Sequence, residues 1–291
     1  VSVELAICIV NWNTRDLLWE CLHSVVRETA GLSAEIVVVD NASGDGSAEM
    51  VAREFPGVRL IANRENRYYA GGNNQALQAV AAAQYLLLNP DIVVQPGSLG
   101  VLREFLQTHP QAGAVAPRLR GIDGKLQATC RTFPGPAVVL WEALGLSRLL
   151  PRSRVFGQYR MTWWDYAEAR PVDQPMASAL LVRGEALAQV GLFDEQFPMF
   201  FNDVDLCRRL WDAGWEVWLE PGAEMIHHGG AATRLVRREM IIESHRSFLL
   251  YYAKHYRGRL HPLTYALTTG LLRLGAWGRL RAHDFRRLIS G

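Results

Sequence analysis

The sequence predicts an α/β fold whose central sheet is covered by helices on both faces. Short, continuously apolar runs alternate with helical patterns through short links, the mark of a parallel sheet buried on both sides. Each of the first four runs ends on Asn or Asp, which gathers polar side chains at one sheet edge. From residue 237 onward the pattern changes to basic helices.

Leu5 to Val10 forms the first buried strand, ended by Asn11-Trp12-Asn13. Leu17, Leu18, Cys21, Leu22 and Val25 then fall on one side of a helix. Ile36 to Val39 is the second strand, ending on Asp40-Asn41, and the Ser and Asp residues after it open a helix. Val58 to Ala62 is the third strand, closed by Asn63, and a small-residue helix follows over Gly71 to Ala83. Tyr85 to Leu88 is the fourth, ending on Asn89-Pro90-Asp91. A helix over Pro96 to Thr108 and a strand over Ala112 to Pro117 complete this half. Asp123-Gly124 signals a hairpin. Residues 136–172 read as a short helix and a long loop rich in Arg, Trp and Tyr, of the kind that is often functional or mobile, and the loop shape over residues 151–175 is expected to set specificity. Ala179 to Val182 and Glu216 to Leu219 read as strands. Glu185 to Val190 and Asp203 to Ala213 read as helices, the latter capped by Asn202 and closed by Gly214.

The chain has 291 residues, is 49% hydrophobic and 21% charged, and carries a formal charge of +2. That is ordinary globular composition. The four cysteines are scattered without zinc, redox or disulfide spacing and read as reduced thiols. Glu4 breaks the first apolar run, so no signal peptide is expected there. No apolar stretch is long enough to span a bilayer. The near-neutral charge hides an asymmetry: from Arg234 onward basic residues far outnumber acids, and everything before is net acidic. Such a tail points to a negatively charged surface.

Several residues have chemical as well as structural readings. Asp40 either hydrogen-bonds a base or ribose or forms an Asx-turn. Asn89-Pro90-Asp91 is a turn or presents one carboxylate to a divalent cation, which suffices when substrate phosphates complete the shell. The segment 194–205 sets four carboxylates among bulky apolar residues, where desolvation raises basicity and suits a general base. His227 and His228 are adjacent on a strand-like run and so face opposite ways, leaving one free to complete a metal site.

Together, AICIVNWN, VVVDNASGDGS, NRYYAGGNNQAL, LLLNPD, ASALLVRGEAL, GLFDEQFPMFFNDVDLCRRLWDAGW and IHHGG resemble the family 2 glycosyltransferases, in the rhamnosyltransferase-like branch. The resemblance spans roughly residues 4–256. It implies a GT-A fold, Rossmann-like in its nucleotide-binding part, with a mixed central sheet and a C-terminal helical extension. It divides residues 1–236 into a nucleotide-sugar-binding half (1–117) and an acceptor and catalytic half (118–236), followed by a basic helical tail (237–291). It implies an inverting transfer from a dTDP- or UDP-linked sugar, rhamnose or another deoxyhexose first, with Mg²⁺ or Mn²⁺. Asn11, Asn13, Asp40, Asn73, Asn74, Asn89 and Asp91 fall at the family's donor positions, with Asp91 on the metal. Asp203 aligns with the general base. His227 reaches the metal or diphosphate, with His228 in reserve. Ser178 and Asn202 border the acceptor.

Three residues depart from the family pattern. Asn202 replaces the usual Glu before the base, Tyr68 stands where Gly is common, and Ser178 stands where a Gly-Ala pair is usual. A Gln-x-x-Arg-Trp motif is absent, which argues for adding one or a few sugars. The resemblance implies a glycan or lipid-linked acceptor. The tail suits an anionic membrane surface, packing onto the core, or a homodimer, and no nucleic-acid motif accompanies its charge. The expected location is the cytoplasm, peripheral on the inner face of the plasma membrane. The rival reading is a catalytically inactive sugar-nucleotide-binding scaffold.

Overall fold

In the computed structural model, which describes residues 2–229 and 237–290, the elements follow in the order expected. Arg234 and Gly230 lie outside the described residues, as do the side chains of Arg237, Arg286 and Arg287. The chain runs β1 (Val3–Asn11), α1 (Arg15–Glu28), β2 (Ala34–Asp40), α2 (Ser47–Glu54), β3 (Arg59–Ala62), α3 (Tyr68–Ala79), β4 (Ala82–Leu88) and β5 (Ile92–Val94). It continues through α4 (Ser98–Thr108), β6 (Ala112–Arg120), β7 (Cys130–Arg131), α5 (Pro136–Ala143), α6 (Leu146–Leu149), β8 (Arg170–Pro171) and β9 (Gln174–Pro175). The last elements are β10 (Ala179–Arg183), α7 (Gly184–Val190), α8 (Asn202–Asp212), β11 (Glu216–His227), α9 (Arg237–Tyr256) and α10 (Pro262–Ser290).

The main sheet has the order β3-β2-β1-β4-β10-β6-β11-β5, with β8 added on β11. Strands β1 to β4 are parallel, whereas β10 runs antiparallel between β4 and β6, and β5 runs antiparallel to β11. The sheet is mixed, as the resemblance implies. Alternation along β1 explains its unbroken apolar run. Leu5, Ile7 and Ile9 join α1, α2 and α4 on one face, while Ala6 and Cys8 join α3, α7 and α8 on the other. Fully burying a side chain the size of Leu5 or Ile7 contributes roughly 2 kcal/mol. All four cysteines are buried and unpaired.

The structure departs from the sequence reading at identifiable points. Helix α3 begins at Tyr68 rather than Gly71. Gly72 permits its close approach to the sheet, because a Cβ there would lie 2.7 Å from Val10 Cγ1. Asn202 is the first residue of α8 rather than its cap. The cap position is Phe201, in the left-handed region at φ 66°, and Asn202 Nδ2 donates to the Phe197 carbonyl instead. Strand β11 extends to His227 through a bulge between Glu220 and Glu224. The long loop is packed down: Met161, Trp164 and Tyr166 are core residues, and the Tyr166 hydroxyl accepts a hydrogen bond from Cys130 N.

The tail helices pack on the main body. Phe248 stacks on Phe201 at 4.6 Å, Tyr251 is fully buried, and α10 lies against α9 and α5.

Candidate active site

The parallel register brings the strand ends together. Asn11 lies opposite Asp40 on the neighbouring strand, so the two polar endings share one edge. Asn11 Nδ2 donates to Asp40 Oδ1 (2.8 Å) and to Ser43 Oγ (3.2 Å), while Asp40 Oδ2 accepts from Ser43 N. Asn13, in the left-handed region, accepts from Gly44 N through Oδ1, and its own N–H donates to Ser43 Oγ. Next to them, Asn41 Nδ2 donates to the Tyr68 carbonyl, and Asn41 Oδ1 accepts from Asn63 Nδ2 and Arg67 N. A web of reciprocal side-chain to backbone bonds holds this edge before any ligand arrives.

Beside this web opens a cleft of about 320 Å³. Asn11, Asn89, Asp91, Ser178 and His227 all line it. Its walls are apolar and aromatic, with Trp12, Tyr68, Tyr69, Met176, Met199 and Phe200 among them. Asn13, Asp40, Asn73, Asn202 and Asp203 are not in its lining. Asp40 stands behind Asn11 with both oxygens engaged. Asn73 Nδ2 bonds back to the Tyr69 carbonyl, and Asn74 pins residues 193–195 to α3 through Phe193 and Glu195.

Asn89-Pro90-Asp91 brings a turn and a carboxylate to the same strand edge. The chain does turn there, with Ile92 N donating to Asn89 O. Asn89 N in turn donates to Ser178 O, which ties the turn to the far side of the cleft. The turn feeds β5, whose Ile92 pairs with His227 at the end of β11. That register sets Asp91 beside His227. Asp91 is buried, its Oδ1 accepts no hydrogen bond, and His227 Nε2 lies 3.4 Å from that oxygen. His228 turns the other way, toward Glu20.

Gln127 fixes the His227 ring. Its Oε1 lies 2.7 Å from His227 Nδ1, and its Nε2 donates to the His227 carbonyl. Because an amide oxygen only accepts, Nδ1 is the donor of this contact, and Nε2 is the ring nitrogen left on the Asp91 side. A buried carboxylate oxygen without a hydrogen bond and an imidazole nitrogen beside it are the donor types that hard cations and transition ions use, and substrate phosphates can complete such a shell. These two residues fit a divalent cation. Among the described residues, no group of three or more His, Cys, Asp or Glu side chains forms a closed cage.

Asp203 lies one layer behind the cleft wall. Its Oδ2 accepts from Ala177 N (3.3 Å), between the lining residues Met176 and Ser178, and its Oδ1 accepts from Val204 N (2.8 Å). It retains some exposure, yet dense surroundings desolvate the carboxyl and raise its pKa above the ordinary carboxylate value, outweighing these backbone donors. Asp205, two residues on, is the opposite case. Burial pushes its pKa up, but His255, Lys254 and Arg209 together bring it down to about 2. Their contacts to its oxygens measure 2.7, 2.7 and 2.8 Å. Asp205 is a structural anchor between α8 and α9.

Sequence reading missed Gln127, Thr14 and Asn41. Thr14 and Asn41 adjoin residues that were singled out, and Thr14 Oγ1 donates to Asn11 Oδ1 at 2.6 Å. Gln127 carries no local signal, because its partner lies across 100 residues of chain.

Residues 6–162 match the family described as glycosyl transferase family 2. The chain is 30% identical over 234 residues to N-acetylglucosaminyl-diphospho-decaprenol L-rhamnosyltransferase of Mycobacterium tuberculosis, covering 77% of this chain and 76% of that protein. It is 24% identical to the low-salt glycan biosynthesis hexosyltransferase Agl10 of Haloferax volcanii, over 71% of this chain and 61% of that one. Among solved structures, the mannosyltransferase PcManGT of Pyrobaculum calidifontis with GDP-Man and Mn²⁺ superposes with a TM-score of 0.60 at 16% identity, over 97% of this chain and 73% of that one. GalNAc-T7 with UDP, GalNAc and Mn²⁺ gives 0.58 at 14% identity, over 78% of this chain, which spans only 44% of that longer protein.

Proposed function

The chain belongs to glycosyl transferase family 2 and has the GT-A fold, and from that premise we propose that it transfers a deoxyhexose, rhamnose first, with inversion at the anomeric carbon. The donor is a dTDP- or UDP-linked sugar. The acceptor is a hydroxyl of a lipid-linked or growing surface glycan, reached by a chain lying peripherally on the cytoplasmic face of the plasma membrane. The observation that carries this reading is Asp91 Oδ1: buried at the strand edge, without a hydrogen-bond donor, and facing His227. The similarity to a rhamnosyltransferase with a lipid-linked acceptor supports the choice of sugar and acceptor.

In this reading Asn11, Asn89 and the Asn13–Asp40–Asn41 web hold the nucleoside and ribose, and α3 with Asn73 supports the donor wall. Asp91 and His227 would hold Mg²⁺ or Mn²⁺, which neutralises charge on the departing diphosphate. Ser178 and Asn202 flank the acceptor. Asp203 takes the proton from the acceptor hydroxyl as its oxygen bonds to the anomeric carbon and the bond to the diphosphate breaks. Its raised pKa makes it a stronger base than an ordinary carboxylate. Residues 1–117 bind the donor, residues 118–236 bind the acceptor, and the basic helical tail from 237 packs on them through α9.

The test is product stereochemistry. Supplied with dTDP-rhamnose or a UDP-sugar and a short-chain lipid diphosphate-GlcNAc acceptor, the protein gives a product whose anomeric configuration is inverted by NMR. Retention of configuration contradicts the mechanism. Tight donor binding without turnover, across varied acceptors, favours the inactive scaffold.

A further inference from the structure

Helix α10 leaves one side bare. Leu263, Leu267, Leu274 and Trp277 are 61%, 62%, 66% and 62% exposed. Their spacing of four, seven and three residues keeps them on a single stripe of the helix. The opposite side is used for packing: Thr268 and Thr269 are buried, and Tyr265 meets Tyr252 of α9. The neighbouring corner is similar. Leu144, Leu149, Leu150 and Val155 are exposed where α5 and α6 turn into the long loop, and α5 packs against α10. Isolated exposed leucines need no explanation, but large apolar groups clustered on adjoining segments do.

The charges around them are predominantly basic. Arg148, Arg152 and Arg154 lie on the corner, and Arg273, Arg279 and Arg281 on α10. The acids of these segments, Glu142 and Asp284, are each engaged by an arginine from elsewhere, Arg160 and Arg238. Arg281 lies over the Trp277 ring at 5.5 Å, an amphipathic pairing suited to a boundary between apolar and charged phases. No described helix is long and apolar enough to cross a membrane.

We propose that the α10 stripe, together with the α5–α6 corner, is a surface that lies flat on an anionic lipid bilayer, with its leucines and Trp277 in the acyl boundary and its arginines among the headgroups. A second copy of the chain would have to bring acids to meet these arginines, and this face offers none unpaired; an anionic bilayer supplies them. The surface deepens the reading above, which needs a membrane-held acceptor, and it adds a mechanical link. Phe248 of α9, which carries α10, stacks on Phe201, two residues before Asp203. The helical pair that rests on lipid thereby also holds the residue that opens α8, the helix bearing the proposed base.

The test is co-sedimentation of the full chain with vesicles of phosphatidylglycerol mixed into phosphatidylcholine, and with phosphatidylcholine alone. Binding is expected to the anionic vesicles, to weaken with salt, and to be far weaker to the neutral ones. Leu274→Glu with Trp277→Glu should reduce partitioning roughly a hundredfold, and Arg273→Glu with Arg281→Glu roughly tenfold. Thermal melts and donor calorimetry on the same variants should match wild type, which separates loss of this surface from failure of folding or of the donor site. Wild type that stays unbound, or variants that bind as wild type does, would overturn the proposal. So would a dimer in solution that the Leu274 and Trp277 changes dissociate without any effect on vesicles.

Discussion

The two ends of the cleft are built on opposite terms. At the β1–β2 edge, Asn11, Asn13, Asp40, Asn41 and Ser43 are answered by one another and by backbone. At the β5–β11 edge, Asp91 keeps an oxygen without a hydrogen bond, and behind the wall Asp203 has only backbone donors against strong desolvation. Buried polar groups are normally paired, because an unpaired one costs about 1–3 kcal/mol. The first edge meets that requirement and is a fixed frame for recognition. The second does not, and the unmet capacity is what chemistry can use. The same contrast recurs within two residues of α8, where Asp205 is met by the side chains of Arg209, Lys254 and His255 and Asp203 only by backbone donors.

The largest expected effect breaks the contrast at its reactive end. Asp203→Asn should lower kcat by about a thousandfold, as removal of a general base does, while calorimetry shows donor affinity unchanged. Near-normal turnover would mean that the proton goes elsewhere. In the wild type, the raised Asp203 pKa predicts an acidic limb in kcat/KM centred above the ordinary carboxylate value of 3.8.

Next comes the saturated partner. Asp205→Asn should cost about 3 kcal/mol in denaturant unfolding, because it removes the buried carboxylate that Arg209, Lys254 and His255 share. The pH dependence follows from its low folded pKa. The stabilisation is fully present above the unfolded value of 3.8 and is lost as pH falls toward the folded value of about 2. A variant as stable as wild type at neutral pH would remove Asp205 from its anchoring role.

Smaller effects sharpen the comparison. Gln127→Leu frees the His227 ring and should weaken metal-dependent donor binding roughly tenfold, the usual scale for a residue orienting a ligating imidazole. Binding measured in chelator should not change. Tyr68→Gly is the mildest. Tyr68 holds a left-handed backbone at φ 57° that costs a non-glycine residue roughly 1–2 kcal/mol. Despite losing an aromatic wall of the cleft, the variant should stay within about 1 kcal/mol of wild type in stability, and its donor KM should shift. A large loss of stability would show that the ring, not the backbone, governs that position.

Much of the frame was legible because parallel strands buried on both faces write themselves as unbroken apolar runs, and their polar endings mark one edge. The resemblance supplied the mixed character of the sheet, which the isolated runs did not: β10 reads the same in either direction, and only its pairing with β4 and β6 makes it antiparallel. The packed loop over residues 151–175 was illegible, since its order comes from Trp164 and Tyr166 packing into the core and from the Tyr166 hydroxyl meeting Cys130 N, 36 residues away, a contact no local pattern encodes. At the site, Asp91 was visible as a carboxylate where a turn alone would do. Its pairing with His227 follows from the β5–β11 register, and Gln127 from a fold-level contact. Asn202 misled because a polar residue before Asp203 looks like a cap, whereas the strained Phe201 backbone occupies that position.

The most direct measurement is calorimetric titration of dTDP- and UDP-linked sugars into wild type and Asp91→Ala, with Mn²⁺ and with chelator. The expected result is tight, Mn²⁺-dependent binding of one donor by wild type, and weak binding by Asp91→Ala that is the same under both conditions. Equal donor affinity for the two proteins in Mn²⁺ would contradict the assignment of the orphaned Asp91 oxygen to the metal and its diphosphate.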